Sequence, residues 1–542
     1  MAMDLEIPYL IVGAGPVGLT AARLLANAGQ RCLVVERRDG PQRNPAAHVV
    51  NARTLEIFRQ AGFDMAAIAN ISKDPADSGR VNFVTRLNGQ LIGQLPFERQ
   101  GDECLAHTPV PLRNISQHLL EPLMSAEVAE FPEVDLRYRT EWVSATQSGD
   151  HVTSVVRDLD TGEETVVQSA YLFGADGAGS ATRKWLGIEM IGPTGIQSFV
   201  AIHFRANLRD VIAHRLGVLH FVMDPEAAGT FIAHDIDHEW VFMVAFDPET
   251  ESVDDYGTER CERIVHAAIG DETTPIEIVG SGTWHMTAQV AEAMRRGRAF
   301  LMGDAAHRFP PTGGMGLNTG VADAHNLVWK VLAVETGWAP SSLLDSYETE
   351  RRPIAEINCH QSLTNAFKMV ILADALGLHP GATSADLEAT LADPSRAQAI
   401  AAAVQEQAMH FDMLGLQIGY VYGAPGPEDP SVFAPTGEVG SRLPHAWLAD
   451  GRSTLDLVAA TGMTLITCGA HDAWASALGS SAVPVQHVRL GDEANVDAGW
   501  LITCDLGADG AVLVRPDQHV AWRSEQLPSD PAVAVAHALR VA

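Results

Sequence analysis

An apolar run, Tyr9 to Val12, leads directly into Gly13-Ala14-Gly15-Pro16-Val17-Gly18. A helical pattern follows from Leu19 to Asn27, Gly29 ends it, and a second apolar run spans Cys32 to Val35. The succession strand, glycine turn, helix, strand predicts a βαβ unit. Residues 81–110 read as short strands and turns, and Arg113 to Ala129 as a helix. His151 to Phe173 predicts a hairpin turning at Asp160-Thr161-Gly162 and running on into a strand. Between Ile191 and Gly282 the runs SFVAIHFRANL, GVLHFVMDP, GTFIAHDI and EWVFMVAF are alternating or continuously apolar, which predicts a separate, mainly β layer. Helices are expected at Val321 to Glu335 and Pro353 to Leu376. Gly423 to Pro435, rich in proline, glycine and acid, reads as a linker to a last segment with its own strand and helix pattern.

A chain of 542 residues exceeds what one core holds, so two or three domains are expected. The formal net charge of −31 repels phosphate backbones and anionic lipid, which argues against nucleic-acid and membrane partners. No apolar run is long enough for a bilayer span, and the N-terminus lacks the basic start and apolar block of a signal peptide. The six scattered cysteines form no CxxC pair, so neither a zinc site nor a disulfide framework is suggested. A reducing cytoplasm is the simplest compartment.

The first chemistry-bearing motif is the glycine turn. Gly13 permits the tight turn, Gly15 lets a pyrophosphate approach the backbone, and Gly18 lets the helix pack on the sheet. The helix opening at Pro16 and Val17 offers unpaired N–H groups and its positive pole to phosphates. Glu36 ends the second strand, where an acid accepts hydrogen bonds from a ribose. This motif alone does not separate FAD from a nicotinamide cofactor.

Further along stand Phe173-Gly174-Ala175-Asp176-Gly177-Ala178-Gly179-Ser180-Ala181-Thr182-Arg183 and Gly303-Asp304-Ala305-Ala306-His307. The second continues as Pro310-Pro311-Thr312-Gly313-Gly314-Met315-Gly316-Leu317-Asn318-Thr319-Gly320 and Asp323-Ala324-His325-Asn326-Leu327, with Tyr347-Glu348-Thr349-Glu350-Arg351-Arg352-Pro353 beyond. These resemble, in order, the DG and GD motifs and their continuation in the class A flavin-dependent aromatic hydroxylases of phenol-hydroxylase and polyketide-hydroxylase type. Gln117 and Glu121 fall at the family's Q…E pair, and His48 and Arg53-Thr54 fit its loop after the second strand.

The resemblance implies an α/β fold. A Rossmann-like FAD-binding domain (residues 1–80, 111–190 and 283–400) carries an inserted mainly β substrate domain (81–110 and 191–282). A helical segment and linker (401–429) then leads to a C-terminal thioredoxin-like domain (430–542). It also implies bound FAD, with NADPH or NADH as a transient co-substrate and O₂ as oxidant. A single GxGxxG agrees, because the nicotinamide has no Rossmann domain of its own in this family. The expected cofactor residues are Gly13, Gly15, Pro16, Val17, Gly18, Glu36, Arg37, Gln117, Trp142, Asp176, Asp304, Pro311, Gly314, Met315, Gly316, Leu317 and Asn318. Asp304, after the strand Ala299 to Met302, is expected on the ribityl polyol, and the helix opening near Leu317 at the flavin's N1–C2=O edge. Trp142 is expected beside the adenine through its backbone. Asp176 either orients the backbone near the pyrophosphate or pairs with Arg183 as a structural clamp.

The implied reaction hydroxylates an aromatic, phenolic substrate through a flavin C4a-hydroperoxide, a chemistry that belongs mostly to the cofactor. The partner is a small aromatic or polycyclic aromatic molecule. Candidates for handling the phenolic proton are His48, His220 and His234, with His203, Trp240, Trp284 and His285 also on the β layer. His307 reads as structural. The same fold doing Baeyer–Villiger or epoxidation chemistry, or holding FAD without turnover, stands as the alternative. The last domain has Cys468-Gly469-Ala470-His471 where a redox thioredoxin has two cysteines, which leaves it a structural or dimerising role and leaves a homodimer open.

Overall fold

The computed structural model describes residues 4–479, 481–491 and 495–541; residues 1–3 and 542, the outer limits of the terminal domains as drawn from sequence, lie outside the described residues. The expected βαβ unit is strand Leu5–Val12, helix Pro16–Asn27 and strand Cys32–Val35. These strands lie inside an eight-stranded sheet with Glu164–Gly174 and Ala299–Leu301 on one side and Val134–Arg137 on the other. The pairings Leu5–Val12 with Glu164–Gly174, with Cys32–Val35, and Glu164–Gly174 with Ala299–Leu301 are all parallel. Such strands are buried on both faces, which is why they read as continuous apolar runs. Val152–Asp158 and Glu164–Gly174 form the expected antiparallel hairpin.

Three helix limits differ from the sequence reading. Arg113–Asn114 pairs as a short strand with Val49–Val50, so the next helix is Gln117–Ala129, opening after Ser116. The helix expected at Val321 starts at Met315, because Gly314 enters it in the left-handed conformation. The helix expected at Pro353 runs Asp345–Ala375 with that proline inside it. A proline prefers a first turn, but tertiary bonds outweigh the one lost here: Tyr347 Oη donates to Leu301 O at 2.6 Å, and Arg351 is paired in the core.

The mainly β layer is a seven-stranded sheet in the order Glu277–Met286, Gln197–Arg205, Glu239–Phe246, Gly229–Asp235, Leu219–Val222, Arg80–Val84, Leu91–Pro96. Segments distant in sequence thus meet in one sheet, and its edge strand runs to Met286, past the expected limit at 282. One face packs Ile202, Phe204, Phe231, Trp240 and Phe242 under helix Thr258–Ile269. The other face, carrying Val81, Phe83, Leu219 and Phe221, shares a core with Val49 and Phe97.

The C-terminal strands follow the order Val485–Arg489, Met463–Thr467, Ala511–Val514, Val520–Ser524, the first pair parallel and the others antiparallel. With helices His471–Leu478, Ala498–Thr503 and Pro531–Val541 this is the thioredoxin-like arrangement. Trp329 and Ala333 of the long helix Met315–Glu335 enter its core beside Leu465, Trp474 and Leu513. All six cysteines are free thiols. Burial pushes the Cys468 thiol up to about 11, the opposite of what a reactive thiolate needs. No helix among the described residues is long and apolar enough to cross a membrane.

Candidate active site

Register brings the sequence motifs together. Val12 stands opposite Val35 and Gly174, and Gly174 opposite Leu301. Four neighbouring parallel strands therefore end side by side, and the next residues are Gly13, Glu36, Ala175-Asp176 and Met302-Gly303-Asp304. Ligands of open parallel sheets bind at this carboxyl edge.

The glycines divide into packed and open ones. A Cβ on Gly13 (φ +105°) would lie 2.3 Å from Ala175 O, and one on Gly18 would lie 2.0 Å from Gly13 O. Gly15 differs: the nearest heavy atom to its virtual Cβ is a Glu121 carboxylate oxygen at 3.9 Å, so space above this turn is free. Pro16 begins the helix, where its missing N–H costs nothing. Val17 serves packing, since virtual Cβ atoms on Gly303 and Gly320 would meet its methyl at 3.0 and 2.6 Å.

Glu36 is buried and ionised. Its carboxylate accepts the Ala14 N–H at 3.0 Å and the Arg38 N–H at 2.9 Å. Burial alone would raise its pKa, but the Arg38 guanidinium and these N–H bonds overcome that and hold it below the usual range. Arg37 is exposed, whereas the Arg38 side chain lies 3.1 Å from Glu36 and 3.2 Å from Glu121. The neighbour of the expected arginine is thus the one that pairs with both acids. Gln117 Nε2 donates to Glu121 at 2.6 Å, and Glu121 accepts the Gln42 N–H at 2.8 Å, so the Q…E pair organises the loop after the second strand. Trp142 is buried, with Nε1 donating to Ser154 Oγ at 3.1 Å, which leaves only its backbone for a ligand.

The Asp176 carboxylate accepts bonds from Ser180 Oγ (2.6 Å), Thr182 Oγ1 (2.7 Å) and Thr182 N (2.9 Å), shaping the turn before helix Ala181–Leu186. The Asp176–Arg183 clamp does not form. Arg183 instead donates to Ala305 O at 3.1 Å and Ala178 O at 3.4 Å, tying the DG turn to the GD turn. Carbonyls rather than a carboxylate receive it because Asp176 is already saturated by its own turn.

Asp304 is held the other way. Its side chain is open to the cleft, and no protein donor reaches it among the described residues. Surrounding protein raises its pKa by desolvation. Beneath it, buried Asp323 accepts the Gly303 N–H (3.1 Å), His307 Nε2 (2.7 Å) and Arg351 Nε (2.8 Å). His307 is thus structural, as expected. Gly314 has φ +60° and a virtual Cβ 2.5 Å from Val49, whereas the virtual Cβ of Gly316 meets only Asp304 Oδ1, at 3.8 Å. Helix Met315–Glu335 opens there without a side-chain cap. Pro311 O accepts the Gly314 N–H; Met315 is buried, and Leu317 half-buried. The Asn318 side chain is fully committed: it donates to Val49 O and Gly314 O, and accepts from Asn51 N and Thr54 Oγ1. Only its backbone remains available.

An unbonded carboxylate in a cleft, open backbone at Gly15 and Gly316, an uncapped helix opening and an acid at the second strand's end fit FAD. A model of the FAD-binding domain family matches residues 6–362, and one of the aromatic-ring hydroxylase C-terminal domain matches 436–541. The chain is 32% identical over 588 aligned positions to 2,4-dichlorophenol 6-monooxygenase of Cupriavidus pinatubonensis, covering 100% of this chain and 97% of that protein. It is 32% identical over 567 positions to tetracenomycin A2 monooxygenase-dioxygenase of Streptomyces glaucescens, covering 97% and 95%. The crystal structure of the flavin-dependent monooxygenase PieE, in complex with FAD and substrate, matches with a TM-score of 0.93 at 32% identity, covering 100% of both chains.

The chain belongs to the class A flavin-dependent aromatic hydroxylases.

This hydroxylase is an FAD-dependent aromatic monooxygenase using NAD(P)H and O₂. FAD, when bound, supplies the hydride acceptance and oxygen activation; the chain's own residues must hold it, orient the aromatic ring and exclude water.

The hydroxylase's histidines separate by sheet face. His220 lies on the helix-covered face, 6.1 Å from the Trp240 ring centroid, with its nitrogens against Asn82 Nδ2 and Gly217 O. Burial lowers its pKa to about 3. The expectation that His220 handles the substrate proton is corrected: strand alternation turns it away from the cleft, as it does Trp240. His48 and His234 meet edge to face, ring centroids 5.8 Å apart, between the glycine-turn layer and the β layer. His234 is buried at a bulge with Nδ1 2.7 Å from Ser116 Oγ, and desolvation holds its pKa well below the ordinary value. His48 Nδ1 lies 3.0 Å from Asn114 Oδ1, and Phe97 stacks on it. Burial lowers its pKa to about 4. His203 pairs with Glu239 at 3.0 Å, Trp284 packs on Phe199, and His285 is exposed. Lys73, His118 and Glu239 also gather here and were missed from sequence. Lys73, lowered to about 8 by burial, interacts with His48 and His234, and His118 Nε2 pairs with Glu239 at 2.9 Å. Such a cluster has no spacing signal, because its members come from four separate segments.

Proposed function

We propose that this hydroxylase acts on a phenolic substrate of two or more fused aromatic rings, laid flat against the inner face of the β layer. One observation carries the reading. Ala201, Met243, Thr230 and Phe221 are consecutive register partners on four adjacent strands, and all four are only half-buried. At the usual strand spacing this row is about 14 Å long, with its Phe221 end packed on Phe83 and Phe411. In the neighbouring row His203, Ile232 and Leu219 are also half-buried, while Val241 is buried. A broad apolar face with polar groups at one end suits a planar polycycle bearing a hydroxyl better than a single ring. The similarity to a tetracenomycin monooxygenase agrees with that reading.

At the polar end, the Asn114 amide donates to Gln100 Oε1 at 3.1 Å, which turns its oxygen to His48. The His48 Nδ1–H then donates, and Nε2, with no protein partner among the described residues, is an acceptor for a substrate hydroxyl. Being neutral at pH 7, His48 orients the phenol and takes up its proton only as the ring is attacked. For the cofactor, we assign the pyrophosphate to the open backbone at Gly15, the ribose to Glu36, the ribityl chain to Asp304, and the flavin's N1–C2=O edge to the N–H groups of Gly314 to Asn318.

The test is a panel of monocyclic and fused-ring phenols, scored for substrate-stimulated NAD(P)H oxidation and for ¹⁸O₂ incorporation. Tight coupling and one labelled ring oxygen are expected with fused-ring phenols. Better coupling with monocyclic phenols would overturn the size assignment, and an ester product would overturn hydroxylation.

A further inference from the structure

We infer that the thioredoxin-like domain is a positioning device for the cofactor site, acting through the single hairpin turn 515–519. The inference rests on the cofactor contacts assigned above to Asp304 and to Gly314 and its neighbours.

The turn joins strands Ala511–Val514 and Val520–Ser524, and it carries Gln518 in the left-handed region at φ +63°. A non-glycine residue held there is strained and persists only where its surroundings over-determine it. They do so here. Arg515, Asp517, Gln518 and His519 are all buried, none more than 7% exposed, although the turn belongs to a different domain from the cofactor site. A thioredoxin-like sheet gains nothing by driving four polar side chains into a neighbour unless they bond there.

Two hydrogen-bonded routes run from this turn. In the first, Gln518 Oε1 and Asp517 O accept the Arg53 guanidinium at 2.6 and 2.7 Å. Arg53 sits in helix Ala52–Gln60, which is capped by Asn51. Asn318 Oδ1 accepts the Asn51 N–H at 2.9 Å and the Thr54 hydroxyl at 2.7 Å, while Asn318 Nδ2 donates to Gly314 O at 2.6 Å. The route therefore ends on the carbonyl of the left-handed glycine that opens the long helix. In the second, Arg515 grips Glu350 at 2.7 and 2.8 Å, and Asn326 Nδ2 donates to both Glu350 (2.7 Å) and Asp517 (3.1 Å). Tyr422 Oη, 3.2 Å from Asn326, lies 3.4 Å from Arg351, which holds Asp323 and through it the Gly303 N–H. This route ends beside Asp304. One turn of the last domain thus fixes both glycine turns of the cofactor site. No redox step is asked of the domain, which accords with its half-buried, unpaired Cys468.

The experiment uses the full-length chain, with FAD affinity followed by flavin fluorescence and coupling followed as H₂O₂ released per NAD(P)H consumed. Gln518→Leu removes one side-chain acceptor of Arg53, which keeps Glu56 and the Asp517 carbonyl; Gln518→Glu restores it; and Asp517→Asn weakens the second route, where its carboxylate receives Asn326 and Arg515. Asp456→Asn is the matched control, because it removes a 2.7 Å ion pair with Arg59 at the same domain interface, and the Arg59 side chain, although on the same helix as Arg53, bonds to no member of either route. We expect the FAD dissociation constant to rise about tenfold or more in Gln518→Leu, H₂O₂ release to rise with it, Gln518→Glu to recover most of both, and Asp456→Asn to lower thermal stability alone. Equal effects of Gln518→Leu and Asp456→Asn on affinity and coupling, or no effect of either Gln518→Leu or Asp517→Asn, would overturn the inference. Should Asp517→Asn fail to fold, the Gln518 pair decides alone. Asp304→Asn separates the premise: if it leaves FAD affinity unchanged, the cofactor contacts are wrong; if it weakens FAD while Gln518→Leu does not, only the role of the turn is wrong.

Discussion

Arg351 donates to Asp323 across 2.8 Å, with neither side chain more than 1% exposed, and the two residues come from different helices. The carboxylate also holds the Gly303 N–H and His307, so a single ion binds the strand end, the GD turn and the helix behind them. Its pKa is lowered chiefly by His307 and Arg351, against the desolvation that would raise it. Removing one partner of a buried pair leaves the other charge stranded, a loss of about 3–5 kcal/mol. Asp323→Ala is therefore expected to lower the denaturant midpoint and the FAD occupancy together. Retention of wild-type stability would show that the ion pair is replaceable.

Gly314 and Gly316 are two residues apart and should respond oppositely to alanine. At Gly314 the positive φ and the Val49 side chain 2.5 Å from the virtual Cβ both resist a methyl. Gly314→Ala should cost about 1–2 kcal/mol from the left-handed backbone alone. At Gly316 the apo-protein has room, so Gly316→Ala should leave thermal stability unchanged and weaken FAD, because the methyl enters the space beside Asp304. Thermal melts with and without FAD distinguish the two. A Gly316→Ala protein that binds FAD normally would mean that the cofactor does not approach this backbone.

The sequence makes some of this plain and hides the rest for identifiable reasons. Glu36 is legible because a strand of fixed length after a helix of fixed length puts it at the sheet edge. Asp304 is legible for the same reason, following Ala299–Leu301. The pairing of Arg38 with Glu36 and Glu121 is not legible, because it depends on which way the chain leaves the strand. Asp323 stands in a recognisable motif, but its partners are not legible there: they are 16, 20 and 28 residues away, and only folding brings them together. His220 misled because Leu219–Val222 is apolar on both faces, so alternation could not say which side a core would cover. The clamp between Asp176 and Arg183, one of the two readings of that turn, does not form because local hydroxyls reach the carboxylate first.

His220 makes a stability prediction with a definite sign. Its folded pKa, about 3, lies below the ordinary value of 6.5, so between these pH values the unfolded chain binds a proton that the folded chain does not. Stability contributed by keeping it neutral is complete above pH 6.5 and is lost as pH falls toward 3, by about 1.4 kcal/mol per pH unit within that window. His220→Gln should flatten the fall in melting temperature between pH 6.5 and 4.5 while leaving turnover on a good substrate unchanged. An unaltered pH slope would remove His220 from the acid response, and a large loss of turnover would return it to the active site.

His48 should behave in the reverse manner. Its Nδ1 is held by Asn114, and in the proposed reading its Nε2 accepts from the substrate hydroxyl. His48→Gln keeps a polar side chain of similar reach but loses the fixed acceptor geometry, and general acid–base contributions of this kind are commonly worth about 10²–10⁴-fold. Thermal stability and FAD affinity should change little, because the ring holds no buried ion. Product formation should fall by at least about tenfold, with NAD(P)H oxidation diverted to H₂O₂, since a ring that keeps its phenolic proton is a poorer nucleophile. Asn114→Leu, which frees the imidazole to rotate or change tautomer, should give a weaker version of the same uncoupling. Tight coupling in His48→Gln across the substrate panel would move the proton acceptor elsewhere, and His234, 5.8 Å away ring to ring, would be the next residue to replace.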